Sequence, residues 1–331
     1  MDQRAALDAQ GNIIAWDHEA WSAVMGGRPG NNAPGNVVSG SLAGFAPQAF
    51  QPRSPAPDPQ QYNNGNNSVP SYFAGGVGGQ SRGTGTIKSE RSLLHNVPSP
   101  FFTAPLRSPS RIQNTFAHES FMDELAAHAK ADPVAFRLRH LSDPRLRDVV
   151  NAAATAFKWD ARPSPRPNIR KTGIATGRGM ACVLYEGDNG YASIFAEVEV
   201  NQDSGAITVK RMVISNDSGP ISNPDALKNQ MEGGALQGLS RTLGEEVTWD
   251  QQQITSVDWL SYHSLPLGFS VPTVDVVLLD RPEHEAMGAG ETSITLVPAV
   301  ISNAVFDATG ARLRQVPFNA ARVKAALAQR A

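Results

Sequence analysis

The residues best placed to do chemistry lie in Met287-Gly-Ala-Gly-Glu-Thr-Ser293, where small residues deliver one carboxylate, Glu291, at a bend. Gly288 and Gly290 can take backbone angles closed to other residues and let a ligand approach the main chain closely. A carboxylate so presented can take a proton from a bound group; the plainer alternative is a solvated turn glutamate. Arg107 is a second candidate, with Pro105 and Pro109 stiffening the backbone on either side. A fixed guanidinium can hold a planar anion or stabilise a developing oxyanion, whereas on the surface it would only pair with a nearby acid. The third group is Gln230, Gly234 and Gln237, which fall on one face of a helix and set amides beside bare backbone. From spacing alone, tight helix packing and a polar ligand along that face fit equally.

Elements of definite kinds must position these groups. Val274–Asp280 is an aliphatic, β-branched run of strand length, and the stretch from Pro298 reads as a short helix with Gly310 just past its end. Glu291 therefore falls on a strand-to-helix connection. Leu227, Met231, Ala235, Leu239 and Leu243 form an apolar stripe that predicts a helix over 223–243, although each of its three glycines costs about 1 kcal/mol against alanine. Two more helices are predicted, His118–Lys130 with His118 and His128 at its ends, and Pro133–Leu141 capped by Asp132. These histidines have no second ligand at metal spacing and read as surface or packing residues.

Strand pairs are predicted around Gln202-Asp-Ser-Gly205 and, at the start of the chain, over Arg4–Trp16. The opening pair has no strand before it, which suggests a piece of something larger. Residues 51–86 are rich in Pro, Gly, Asn and Ser and read as a long surface loop; their Gly75–Gly79 run lacks the Lys-Ser/Thr of a phosphate cradle. The Pro-rich connection 161–167 divides the chain into 1–160 and 168–331.

Composition narrows the function. With 331 residues, 40% hydrophobic, there is enough apolar material for two packed domains. A net charge of -2 and 18% charged residues leave no basic stripe for nucleic acid. No secretory signal pattern and no run of membrane-spanning length is present, so the expectation is a cytoplasmic chain with no transmembrane segment. The one cysteine, Cys182, excludes an internal disulfide and any iron–sulfur cluster held by this chain alone, and it reads as a buried, reduced thiol.

Several spaced motifs together resemble the molybdenum-cofactor subunit of the xanthine dehydrogenase and aldehyde oxidase family. The likeness is greatest to its isoquinoline and nicotinate oxidoreductase branch. The carrying segments are Arg107–Gln113 with Glu119–Leu125, then Gln230–Gly234, and Gly288–Glu291 with Asn303–Ala308. The resemblance implies an α+β fold of mixed sheets with packed helices, residues 1–160 being the remainder of a first molybdenum-cofactor domain and 168–331 a second. It implies that Glu291 is the general base acting on a hydroxide at molybdenum, that Arg107 stands beside the substrate, and that Gln230 hydrogen-bonds the pterin. With Gly234, Gly288 and Gly290, Gln230 forms the cofactor-binding set, and no residue of this chain is a direct metal ligand.

The implied cofactor is molybdenum–molybdopterin, with the cytosine dinucleotide form as one option. The implied partners are a small [2Fe-2S] subunit that takes the electrons and a chain or domain that supplies the missing N-terminal half. The implied substrate is an aldehyde or N-heterocycle, oxidised with oxygen from water. Two departures matter: the Gly-Gly-Phe-Gly loop of the family is absent, and Asp217-Ser-Gly219 stands where relatives often carry Asp-Cys-Gly. The competing readings are a truncated, non-catalytic fragment that holds no cofactor alone, and a Gly-rich binding protein with an unrelated ligand.

Overall fold

Asp2–Leu7 (β1) and Ile13–Ala23 (β2) form an antiparallel hairpin in the computed structural model, which describes residues 1–23, 33–36, 38–48, 59–61, 69–75, 83–97, 105–169, 171–187 and 189–330. A short helix, Val38–Leu42 (α1), and a two-residue strand, Gln60–Gln61 (β3), precede Ser89–Val97 (β4). The first sheet runs β1-β2-β4-β3, with β2 and β4 parallel. Three helices follow: Arg111–His128 (α2), Pro133–His140 (α3) and Pro144–Phe157 (α4).

The second sheet is built from Ile174–Leu184 (β5), Tyr191–Asn201 (β6), Ile207–Asp217 (β7) and Thr273–Leu278 (β8), in that order, with β7 and β8 parallel. Pro224–Leu243 (α5) lies between β7 and β8, and Thr292–Thr309 (α6) and Ala320–Gln329 (α7) close the chain. Both sheets are mixed and carry packed helices, as the α+β expectation has it.

Strand alternation explains why this sheet is covered on both faces. Ala181, Val183, Ile194, Met212 and Ile214 pack with Met231, Ala235 and Leu239 of α5 and with α6. Met180, Cys182, Phe195 and Val213 point the other way, into a core shared with Val149, Val150, Ala153 and Phe157 of α4 and with Trp16. Helices that precede the Pro-rich connection thus cover strands that follow it. Cys182 is a free, buried thiol whose pKa is pushed far up by burial.

The helix α6 starts six residues earlier than the pattern around Pro298 predicts, and Pro298 sits inside it. Thr292-Ser-Ile-Thr-Leu-Val297 is β-branched and poor helix material, but almost every residue of α6 is buried, and packing outweighs intrinsic propensity. Gly310, in the left-handed region at φ 72°, ends the helix as expected.

Other expectations need correction. The helix α2 begins at Arg111, so His118 is not at its end but buried mid-helix against His18. The helix α4 is absent from the sequence-based expectations, although Asp143-Pro144 repeats the Asp132-Pro133 start of α3 and its carboxylate caps Arg145 and Leu146. Within 51–86, Val69, Tyr72 and Phe73 are core residues, Tyr72 stacking on Trp16 at 6.2 Å and Phe73 meeting it edge-on at 5.7 Å. Aromatic area anchors a stretch whose composition suggested only surface. Gly76–Gly79 lie outside the described residues.

Candidate active site

Glu291 is the residue immediately before α6, and its side chain does not cap that helix. Its carboxylate turns instead to two donors: Oε1 accepts the Ser108 N–H at 2.7 Å and Oε2 accepts the Tyr185 hydroxyl at 2.6 Å. Ser108 is buried with φ 65°, and its hydroxyl meets Thr295 Oγ1 at 2.6 Å. Thr295 Oγ1 in turn donates to the Glu291 carbonyl at 2.8 Å. The base of α6 and the 105–110 segment are thereby locked together.

Arg107 is held by acceptors of the protein itself. Its Nε donates to the Gly290 carbonyl at 2.5 Å, Nη1 to Gln237 Oε1 at 3.2 Å, and Nη2 to Gln230 Oε1 at 3.1 Å and to the Gln230 carbonyl at 3.4 Å. Burial lowers its pKa, with the Glu291 charge opposing. Arg241 Nη1 donates to the Arg107 carbonyl at 2.6 Å and fixes the segment from behind.

Because a guanidinium only donates, both glutamine oxygens must face it, and both NH2 groups are turned away. Those amide donors make no hydrogen bond among the described residues. The arginine thus decides which way two exposed amides point.

The glycines divide into different roles. Neither Gly288 nor Gly290 has a positive φ, which corrects the expectation of forbidden backbone angles there. Both lack full burial; a Cβ on Gly290 would meet nothing within 4 Å, whereas one on Gly288 would lie 2.3 Å from Asn189 Oδ1, which accepts the Gly288 N–H at 3.0 Å. Gly234 is buried, and a Cβ there would lie 2.2 Å from Ser293 Oγ and 3.1 Å from Arg107 Nη2. Its bareness lets α5 close on α6 and on the arginine.

Positive φ occurs next door, at Gly190 (92°), where a Cβ would strike the Gly288 carbonyl at 2.5 Å. The turn between β5 and β6 therefore cradles the Met287–Glu291 stretch. A second turn does the same from the other side: the Ser218 carbonyl accepts the Met287 N–H at 2.8 Å, and buried Asp217 anchors that turn through Arg145. The departure at Asp217-Ser-Gly219 thus falls in a supporting turn.

Sequence reading missed Tyr185, Ser108 and Thr295. No local pattern links Tyr185 to a carboxylate 106 positions away, and only the sheet topology brings them together. The motif segments 119–125 and 303–308 prove to be internal ties. Glu119 accepts from Arg137, Tyr72 and the Cys182 N–H, and Asn303 donates to the carbonyls of Glu119 and Met180.

Residues 122–266 match a family model described as a molybdopterin cofactor-binding domain. The chain is 33% identical to a nicotinate dehydrogenase subunit of Pseudomonas putida over 334 residues, which is 99% of this chain and 26% of that protein. This chain belongs to the molybdopterin-binding proteins of the aldehyde oxidase and xanthine dehydrogenase family.

Another member, the beta subunit of isoquinoline 1-oxidoreductase from Brevundimonas diminuta, is 32% identical over 63% of this chain and 26% of its own length. The fold agrees with the family's solved structures. The aldehyde oxidoreductase from Desulfovibrio gigas matches 98% of this chain with 48% of its own (TM-score 0.70, 15% identity). Quinoline 2-oxidoreductase from Pseudomonas putida 86 matches all of this chain with 62% of its own (TM-score 0.70, 13% identity). The chain thus spans about a quarter of the length of the two relatives, and about half to three fifths of these structures.

The residues present fit the family's cofactor. Two outward amide donors, the open backbone at Gly290 and exposed Gly233, which has nothing within 4 Å of a built Cβ, make a polar, uncluttered surface beside Glu291. Gln230 and Gln237 can donate to acceptor atoms of a pterin there, since neither NH2 group has another partner among the described residues.

Proposed function

We propose that this chain forms one wall of a molybdenum–molybdopterin site in a hydroxylase that oxidises an aldehyde or N-heteroaromatic substrate with oxygen derived from water. One observation carries the reading: Arg107 bonds both Gln230 and the Gly290 carbonyl beside Glu291, so three candidates from separate parts of the sequence meet in one place. When bound, the cofactor supplies the two-electron redox chemistry.

The chain's own residues supply position and proton transfer. Glu291 is the general base, since each of its oxygens accepts one hydrogen bond and keeps a second lone pair for a proton from the open side. Gln230 and Gln237 hold the pterin through their NH2 groups, while Gly290 leaves room beside the backbone and Gly288 is packed on Asn189. Arg107 holds the amides in that orientation, and its positive charge lies close to where negative charge develops on a substrate.

The same proposal includes the partners. Electrons pass to a [2Fe-2S] subunit, because the single thiol of this chain is buried and cannot build a cluster. A polypeptide corresponding to the rest of the relatives' length completes the pocket. The cofactor in its cytosine dinucleotide form, a cytoplasmic location and the division into cofactor domains 1–160 and 168–331 belong to this reading too. Among the described residues no helix is long and apolar enough to cross a membrane.

Metal and pterin analysis of the chain co-purified with its partners tests the proposal. About one molybdenum and one pterin per chain is the expected result. A folded complex with neither would favour the non-catalytic reading.

A further inference from the structure

The Glu291 carboxylate is held by two donors of different kinds. The Ser108 N–H is a backbone donor with a fixed direction, so it can only donate to Oε1. The Tyr185 hydroxyl on Oε2 can rotate and either donate or accept. Tyr185 is buried at the end of β5, where the chain turns through Glu186 at φ 54° and Gly187 at φ 81°, and the aromatic ring is thereby fixed relative to α6.

We propose that Tyr185 is a positioning residue for Glu291, one that keeps Oε2 hydrogen-bonded in both protonation states and makes it the oxygen that receives the proton. This rests on Glu291 being the base. In the ionised state the phenol donates to Oε2. When Oε2 takes a proton, the new O–H turns about its C–O bond and donates to the phenol oxygen as the hydroxyl rotates. No bond in the tyrosine breaks, and the proton stays on Glu291.

Oε1 cannot offer the same exchange, because an O–H on Oε1 turned toward Ser108 would meet an N–H that has no acceptor to give. The phenol itself stays neutral, as burial, and secondarily its bond to Glu291, raises its pKa far above the ordinary tyrosine value. Without the hydroxyl, Oε2 would lose the one partner among the described residues able to follow the proton, and the carboxylate could turn about its bond to Ser108.

The test compares Tyr185→Phe with 3-fluorotyrosine placed at position 185, both in the complete complex. Phenylalanine keeps the ring and removes the donor; the fluorinated phenol donates more strongly. The acidic limb of the pH dependence of kcat should move to higher pH by about one unit in Tyr185→Phe, because a donor to the ionised carboxylate is lost. It should move to lower pH with 3-fluorotyrosine. Molybdenum content should not change in either.

A second readout needs no turnover. In pH-difference infrared spectra, the carboxyl band that Glu291→Gln removes should shift in Tyr185→Phe. An unmoved limb and an unmoved band would overturn the proposal, as would loss of molybdenum in Tyr185→Phe, which would make the phenol part of the cofactor wall. If Glu291→Gln keeps more than about a tenth of wild-type turnover, the base assignment fails instead. The infrared shift then still reports whether Tyr185 holds that carboxylate.

Discussion

Arg107 shows how much of the candidate site is a matter of orientation. Its guanidinium makes four contacts with protein acceptors, and three of them fall on Gln230 and Gln237. Arg107→Lys keeps the charge but loses the planar fork, so the two amides are free to flip. Molybdenum occupancy of the complex should fall about tenfold, the scale of one or two lost charge-assisted bonds. Full occupancy with only a raised KM would mean that the guanidinium serves the substrate and not the amides. Glycine, proline and helical spacing mark Glu291, Arg107 and Gln230 locally as candidates, and only the family resemblance gives them roles. Tyr185 and Ser108 are not marked, since a phenol after a strand and a main-chain N–H carry no sequence signal.

At the scale of elements, the placement of Glu291 depends on α6 lying tight against β5. A Cβ on Gly179 of β5 would sit 2.3 Å from the Val300 carbonyl and 2.4 Å from the Ala304 N. Gly179→Ala should therefore destabilise the fold by about 1–3 kcal/mol, the usual cost of overpacking. Gly233→Ala, on the open side of α5, should instead stabilise by up to about 1 kcal/mol, as helix propensity predicts. Thermal melts of the two variants check the pair, and equal shifts would contradict the packing described. Spacing in the sequence set apart only Gly234, and the crossing with α6 is what separates Gly233 from Gly238. The same limit hid the true start of α6, where local propensity opposed the structure.

A second element contact carries a pH dependence. His18 of β2 and His118 of α2 are buried with their Nε2 atoms 3.4 Å apart, and Asn114 Oδ1 lies 3.3 Å from His18. Burial lowers the His18 pKa to about 4 and the His118 pKa well below its ordinary value. The unfolded chain takes up these protons below about pH 6.5, so stability is complete above that pH and falls as the pH drops toward about 4. The loss linked to His18 is about 3 kcal/mol. Thermal midpoints across that window should drop less steeply in His18→Asn than in the wild type; parallel slopes would contradict the assignment.

For the whole molecule, the connection between α5 and β8 is the conspicuous surface. Trp249, Val257, Trp259, Leu260 and Leu267 stand exposed along it, large apolar side chains of the kind that mark an interaction surface when they lie together. Expressed alone, the chain should melt broadly, aggregate and carry no molybdenum. Made with a polypeptide matching the rest of the relatives' length, it should recover a sharp transition and the metal. A monodisperse, sharply melting chain with close to one molybdenum of its own would contradict the need for a partner. Individual strands and helices were readable at this scale because alternating and helical patterns are long, while the fold class came from the family resemblance. The covering of the second sheet by α4, from across the Pro-rich connection, was not readable, since no periodicity records which face meets which helix.

The most direct measurement is the turnover of Glu291→Gln per bound molybdenum, in the complex and beside the wild type. The carboxamide keeps the shape and the Ser108 and Tyr185 contacts while removing the base, so molybdenum content should match the wild type and kcat should fall about a hundredfold or more. Turnover above about a tenth of wild type at equal molybdenum content would contradict the assignment of Glu291 and the site built around it.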